Sequence, residues 1–121
     1  MIVYISIGNS DDKLSQADWA RYFSITARVV QGLASEVYGQ WVSEPASAWQ
    51  NACWCVAVDD AEEVVNVHGE TVRRVDWLKV RLAEIAADHR QDSIAWAEAP
   101  VTEFIGPGGA PKAAEAPETE R

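Results

Sequence analysis

The sequence predicts an α+β fold with elements in the order β-α-β-β-α-β. Three observations carry this: "IVYISI" alternates in the manner of a strand, two later stretches repeat apolar residues at helical spacing, and two further β-rich runs lie between them. A chain of 121 residues with 48% hydrophobic residues is long enough to bury one core and too short for two ordinary domains.

The first strand sets Val3, Ile5 and Ile7 against Ile2, Tyr4 and Ser6 and stops at Gly8-Asn9. Ser15 with Asp18 three residues on reads as a helix start, and Trp19, Phe23, Ala27, Val30 and Ala34 follow at helical spacing. "EVYGQWV" and "NACWCVAV" form a hairpin whose loop, "SEPASAWQ", contains Pro45, a residue that cannot donate to a ladder. Val75, Leu78, Leu82, Ile85, Ala86 and His89 mark the inner stripe of a second helix. "SIAWA" supplies the last strand, resumed at "TEFI" after Pro100. The segment "DDAEEVVNVHGE" fits a loop, an added strand or an extra helical turn equally.

This order is the ferredoxin-like split arrangement, in which two helices cover one face of a four-stranded antiparallel sheet. Residues 1–105 form the single domain. The Pro/Gly/Ala/Glu composition of residues 106–121 reads as a disordered tail.

The net charge of −9 belongs to the domain: Lys112 and Arg121 against Glu115, Glu118 and Glu120 leave the tail at −1 and the rest at −8. No Lys or Arg lies between Val29 and Val72, whereas Glu36, Glu44, Asp59, Asp60, Glu62, Glu63 and Glu70 do. Such a surface repels a phosphate backbone, so no nucleic-acid partner is expected. No apolar run reaches the 18 or so residues needed to span a bilayer, no basic leader precedes "IVYISI", and two cysteines make no disulfide framework. The expectation is a soluble cytoplasmic protein without a membrane partner.

With the first strand between the third and the fourth, both antiparallel to it, three polar stretches meet on one rim. They contribute Asn9, Ser10, Asp11 and Asp12, then Gln50 and Asn51, then Gln91 and Asp92. Amides and carboxylates converging on a small volume can orient a polar ligand or a partner, and aspartates can hold a hard cation through water. The competing structural reading has Asn9 and Ser10 shaping a turn, Asp11 and Asp12 near the positive end of the first helix, and Gln91-Asp92 ending the second.

"YISIGNSDDKL", "WQNACWC" and "QDSIAW" resemble motifs of a group of small uncharacterised proteins from actinobacteria and their phages, over Ile2 to about Ile105. The resemblance implies no assigned activity, so it transfers no catalytic residue. It implies only that the polar motifs stand out together with the strands.

In a strand Cys53 and Cys55 share a face roughly 6.5–7 Å apart at Cα, at or beyond disulfide reach. Zinc requires four ligands, and His68 and His89 are the only other soft candidates. No metal site and no cofactor are expected, and the thiols read as small hydrophobes that let a helix approach the sheet. His89 fits a helix C-terminus and His68 a turn before Gly69, so no catalytic residue is assigned. With the cysteines facing inward, Trp54 falls on the open sheet face beside Tyr4 and Trp96, as an interface patch. The resulting expectation is a small acidic protein-interaction module. It is homodimeric through that face, with a further protein partner in a host as a phage or accessory protein. The alternatives are a binder of a small polar ligand at the rim and a small metal-assisted hydrolase or transferase using Asp11 or Asp12.

Overall fold

The structure, a computed structural model, describes residues 1–9, 13–44, 49–101, 103–109 and 111–112, the last two by backbone alone. It is a mixed α+β fold with two helices and a four-stranded antiparallel sheet. In chain order, β1 is Ile2–Gly8, α1 Gln16–Leu33, β2 Glu36–Val42, β3 Asn51–Ala57, β4 Glu63–Val65, β5 Thr71–Arg73, α2 Arg74–Asp88, β6 Ala95–Ala99, β7 Phe104–Ile105 and β8 Pro111–Lys112. The main sheet runs β2-β3-β1-β6, with every neighbouring pair antiparallel.

Local chemistry sets the helix ends. The Ser15 hydroxyl accepts from the Asp18 N–H at 3.1 Å, satisfying one of the amides that the first turn of α1 leaves unpaired. α2 begins directly from β5, its Arg74 N–H donating to the Glu62 carbonyl at 2.8 Å. It ends in a Schellman closure: the Gln91 N–H reaches the Ala86 carbonyl at 2.9 Å and the Arg90 N–H the Ala87 carbonyl at 3.2 Å, with Arg90 at φ 58°.

One sheet face and both helices contribute to a single core. Val3, Ile5, Ile7, Ala52, Trp54 and Val56 are buried with Trp19, Tyr22 and Val30 of α1 and Val75, Leu78, Leu82 and Ile85 of α2. Aromatic rings join the two helices: Tyr22 meets Trp19 of its own helix edge-on at 6.1 Å and stacks on His89 at the end of α2 at 4.9 Å.

The faces of β3 are opposite to the sequence-based expectation. β1 and β3 pair Tyr4 with Cys55, Ile5 with Trp54 and Ser6 with Cys53, and directly opposed residues share a face. Trp54 therefore lies among Ile5 and the helices, fully buried, while Cys53 and Cys55 are half-buried beside Tyr4 on the second face. An indole buries far more apolar area than two thiols, so its preference decides which way the strand turns. Trp96 is also corrected: it pairs with Ile5 in β6 and packs against the core, on the same side as Trp54.

The segment between β3 and α2 resolves into a β4–β5 hairpin. Its turn is built by Asn66, whose Oδ1 accepts from the His68 and Glu70 N–H groups at 2.9 and 3.0 Å, with Gly69 at φ 79°. Beyond Pro100, β7 pairs with β8, so the first residues of the expected tail form a short hairpin through Gly109 at φ 85°. Residues 113–121 lie outside the described residues.

Candidate functional site: the strand-end rim and the second sheet face

The rim forms in part. Asn9 is buried and its amide is committed to the chain: Nδ2 donates to the Leu14 carbonyl and to Gln50 Oε1, both at 3.0 Å, and Oδ1 accepts from the Leu14 N–H at 3.0 Å. Its backbone N–H donates to the Gln50 carbonyl at 2.8 Å. Gln50 and Gln16 exchange amide hydrogen bonds of 2.8 and 3.1 Å, tying the rim to the first turn of α1. Asn51 donates through Nδ2 to the Trp49 carbonyl at 3.0 Å, and its N–H donates to Ser43 Oγ at 3.0 Å.

The helix-two side of the rim joins through Lys13. Arg90 donates to the Lys13 carbonyl at 3.0 Å, and Lys13 Nζ stands 3.8 Å from Asp92 Oδ1. That pair is solvent-exposed and long, a geometry that contributes little. Gln91 turns back to the His89 carbonyl at 3.2 Å. Asn9, Gln50 and Asn51 are thus brought together by bonds that close the loop, and Gln91 and Asp92 adjoin them without sharing a ligand-sized focus. Ser10, Asp11 and Asp12 lie outside the described residues, as does the Pro45 loop. Among the described residues no group of three or more His, Cys, Asp or Glu side chains is placed to hold a metal ion. No helix among them is long and apolar enough to cross a membrane.

Two surfaces offer more to a partner. One is a cleft of about 410 Å³ between α2 and β6, lined by Leu82, Ala86, Ile94 and Trp96 with Gln91 and Asp92 at one end. Lys79 Nζ sits 4.9 Å from the centre of the Trp96 ring, and Trp96 Nε1 donates to Glu98 at 3.0 Å.

The other surface is the second sheet face. Cys53 and Cys55 form a low floor between Tyr4 and Trp41, which stand 44% and 58% exposed, and Ser6, Ala95 and Ala97 continue it beside and beyond Tyr4, none of them buried. Hydrogen bonding to the Cys55 thiol, then the charge that thiol develops, holds the Tyr4 pKa above its ordinary value. Trp41 belongs to β2, an edge strand on which Tyr38 is also exposed, as is Val42 on the Trp54 side.

Sequence reasoning placed Tyr4 on this face but missed Trp41, Tyr38 and the cleft. A usable signal existed: "VYGQWV" carries five β-favouring or aromatic and amide positions without one charge, in a strongly acidic region. Comparison with protein-family models, curated proteins and solved structures found no match.

Proposed function

We infer that this chain is a small acidic protein-interaction module with a ferredoxin-like frame, its helices covering one sheet face and the apolar surface that runs from its second face to the β2 edge associating with another copy. The strand order β2-β3-β1-β6 and the single core shared by both helices support the frame. One observation carries the interaction reading: an apolar surface extends from Tyr4 over the Cys53 and Cys55 thiols to Trp41 on the exposed edge strand β2. Monomers rarely expose continuous apolar area of this kind. The rim contrasts with it, because its described amides are engaged within the chain. A host protein as a further partner, in the manner of a phage or accessory protein, is compatible with the same surface.

A second reading, binding of a small molecule, is favoured by the cleft between α2 and β6. Its apolar wall and the Gln91 and Asp92 end group suit a ligand with a flat apolar body and a polar head.

Sedimentation over a wide concentration range, paired with native mass spectrometry of freshly purified protein, separates the two. A concentration-dependent dimer without an added mass supports the interaction module. A monomer carrying a stoichiometric small molecule overturns it in favour of the cleft.

A further inference from the structure

We propose that β2 is the seam of a two-fold dimer, pairing antiparallel with β2 of a second copy about an axis through Gln40. This rests on the interaction reading and narrows its surface to one strand edge.

The first ground is an outer edge that no described strand pairs with and that carries few of the usual protections. β2 terminates the sheet, and every residue of Glu36–Val42 is exposed except the half-buried Val37. Edge strands are ordinarily blunted by Lys, Pro, bulges, inward charges or a cover. β6, the other edge, carries Glu98 and is followed by Pro100. β2 has neither Lys, Arg nor Pro, and from Val37 to Ser43 no charge at all; its one irregularity is the register shift between Val37 and Gly39.

The second ground is the phase of the ladder. The Ser43 N–H donates to the Asn51 carbonyl at 2.9 Å, and the register then opposes Trp41 to Cys53 and Gly39 to Cys55. Hydrogen-bonded pairs alternate in an antiparallel ladder, so Ser43, Trp41 and Gly39 bond toward β3 while Gln40 and Val42 aim N–H and C=O outward. Gln40 is thus the central outward-bonding residue of the strand.

The third ground is self-complementarity. A two-fold axis normal to the sheet keeps each face on its own side, so opposed residues must share a face and the axis must pass through a residue. Through Gln40 it makes a reciprocal Gln40–Gln40 backbone pair. It then opposes Gly39 to Trp41 of the second copy, twice, on the second sheet face, where an indole covers the bare glycine backbone. Tyr38 comes opposite Val42. A foreign strand would have to supply both the aromatic and the gap that this sequence already provides in one register. Charge sets a limit beyond that register: Glu36 and Glu44 flank the neutral Val37–Ser43 centre, so antiparallel pairing brings the Glu36 end of one copy near the Glu44 end of the other, and added salt should tighten the dimer.

The test uses the full chain and two lysine variants. Val42→Lys charges the edge on the Trp54 side of the sheet, and Tyr4→Lys charges the second face away from the edge. Sedimentation equilibrium is expected to show a wild-type dimer whose dissociation constant rises about tenfold or more in Val42→Lys and is unchanged in Tyr4→Lys. It should fall as sodium chloride is raised. Amide exchange at Gln40 should slow with protein concentration while exchange in β1 does not, a readout that stands even if Val42→Lys fails to fold. A dimer broken by Tyr4→Lys and indifferent to Val42→Lys, with Gln40 exchange independent of concentration, overturns the edge seam and leaves the interaction reading. A monomer at every concentration overturns both.

Discussion

The rings of Phe23 and Trp54 stack at 5.5 Å between centroids, 25° from parallel, binding α1 to the middle of the sheet. The Trp54 indole N–H donates to Gln40 Oε1 at 2.7 Å, so its one polar atom is paired although the residue is fully buried.

This arrangement makes Trp54 a core residue in any substitution series. Trp54→Ala is expected to destabilise the protein by about 3–5 kcal/mol through lost transfer energy and the cavity left behind. Trp54→Glu would bury an unpaired carboxylate and should not fold. Chemical denaturation followed by circular dichroism measures the first, and the far-ultraviolet spectrum of purified protein decides the second. A stable, monomeric Trp54→Glu would contradict the stacking.

The path from sequence to structure was clear where one periodicity dominated. Val3, Ile5 and Ile7, the Ser15 cap and the stripe from Val75 to Ala86 each specify an element by themselves, and each element is present. The faces of β3 were not legible, because "ACWCVA" is apolar on both sides and alternation gives no sign there. The indole's larger apolar area breaks that symmetry, and pairing with β1 sets Trp54 opposite Ile5. The hairpin turn at Asn66 was hidden for a different reason. Its signal is a side chain bonding to amides two and four residues on, within a run too short and too charged for a periodicity to register. At the candidate site, the rim's proximity could be read from topology, but its internal saturation depended on the Gln16–Gln50 exchange between distant segments.

The rim residues should separate by burial. Asn9→Ala removes the partner of the Leu14 N–H and carbonyl in a buried loop, and is expected to cost about 1–3 kcal/mol. Asp92→Ala touches an exposed ion pair and should stay within about 0.5 kcal/mol. Urea unfolding of both variants checks this, and equal effects would contradict it.

At the end of α2, Arg90 occupies a left-handed conformation in which glycine meets no steric penalty. Arg90→Gly should relieve that strain and lose the bond to the Lys13 carbonyl. The bond is exposed, so the conformational gain is expected to prevail, raising stability by a few tenths to about 1 kcal/mol. Arg90→Val, β-branched at the same φ, should destabilise. Thermal melts of the pair give opposite signs if the closure is as described.

Tyr4 supplies a titration that reports on the second sheet face. Its pKa is raised above 10.0 first by hydrogen bonding with Cys55, which favours the protonated phenol, and next by the negative charge of Cys55 as it ionises. A proton held more tightly in the folded state stabilises that state at pH values below the unfolded pKa. The contribution is lost as pH rises through the folded one. The stability difference between wild type and Tyr4→Phe should therefore be constant below about pH 10 and shift against wild type above it, where the folded phenol resists an ionisation that the unfolded chain undergoes. Removing the cause should remove the shift. In Cys55→Ala, ultraviolet difference titration is expected to bring Tyr4 back toward the ordinary tyrosine value, while Trp54→Phe, on the opposite face of the same strand, should leave it where it is. A Tyr4 transition that ignores Cys55→Ala would mean that the hydroxyl is governed by another neighbour and that Cys55 does not share its face.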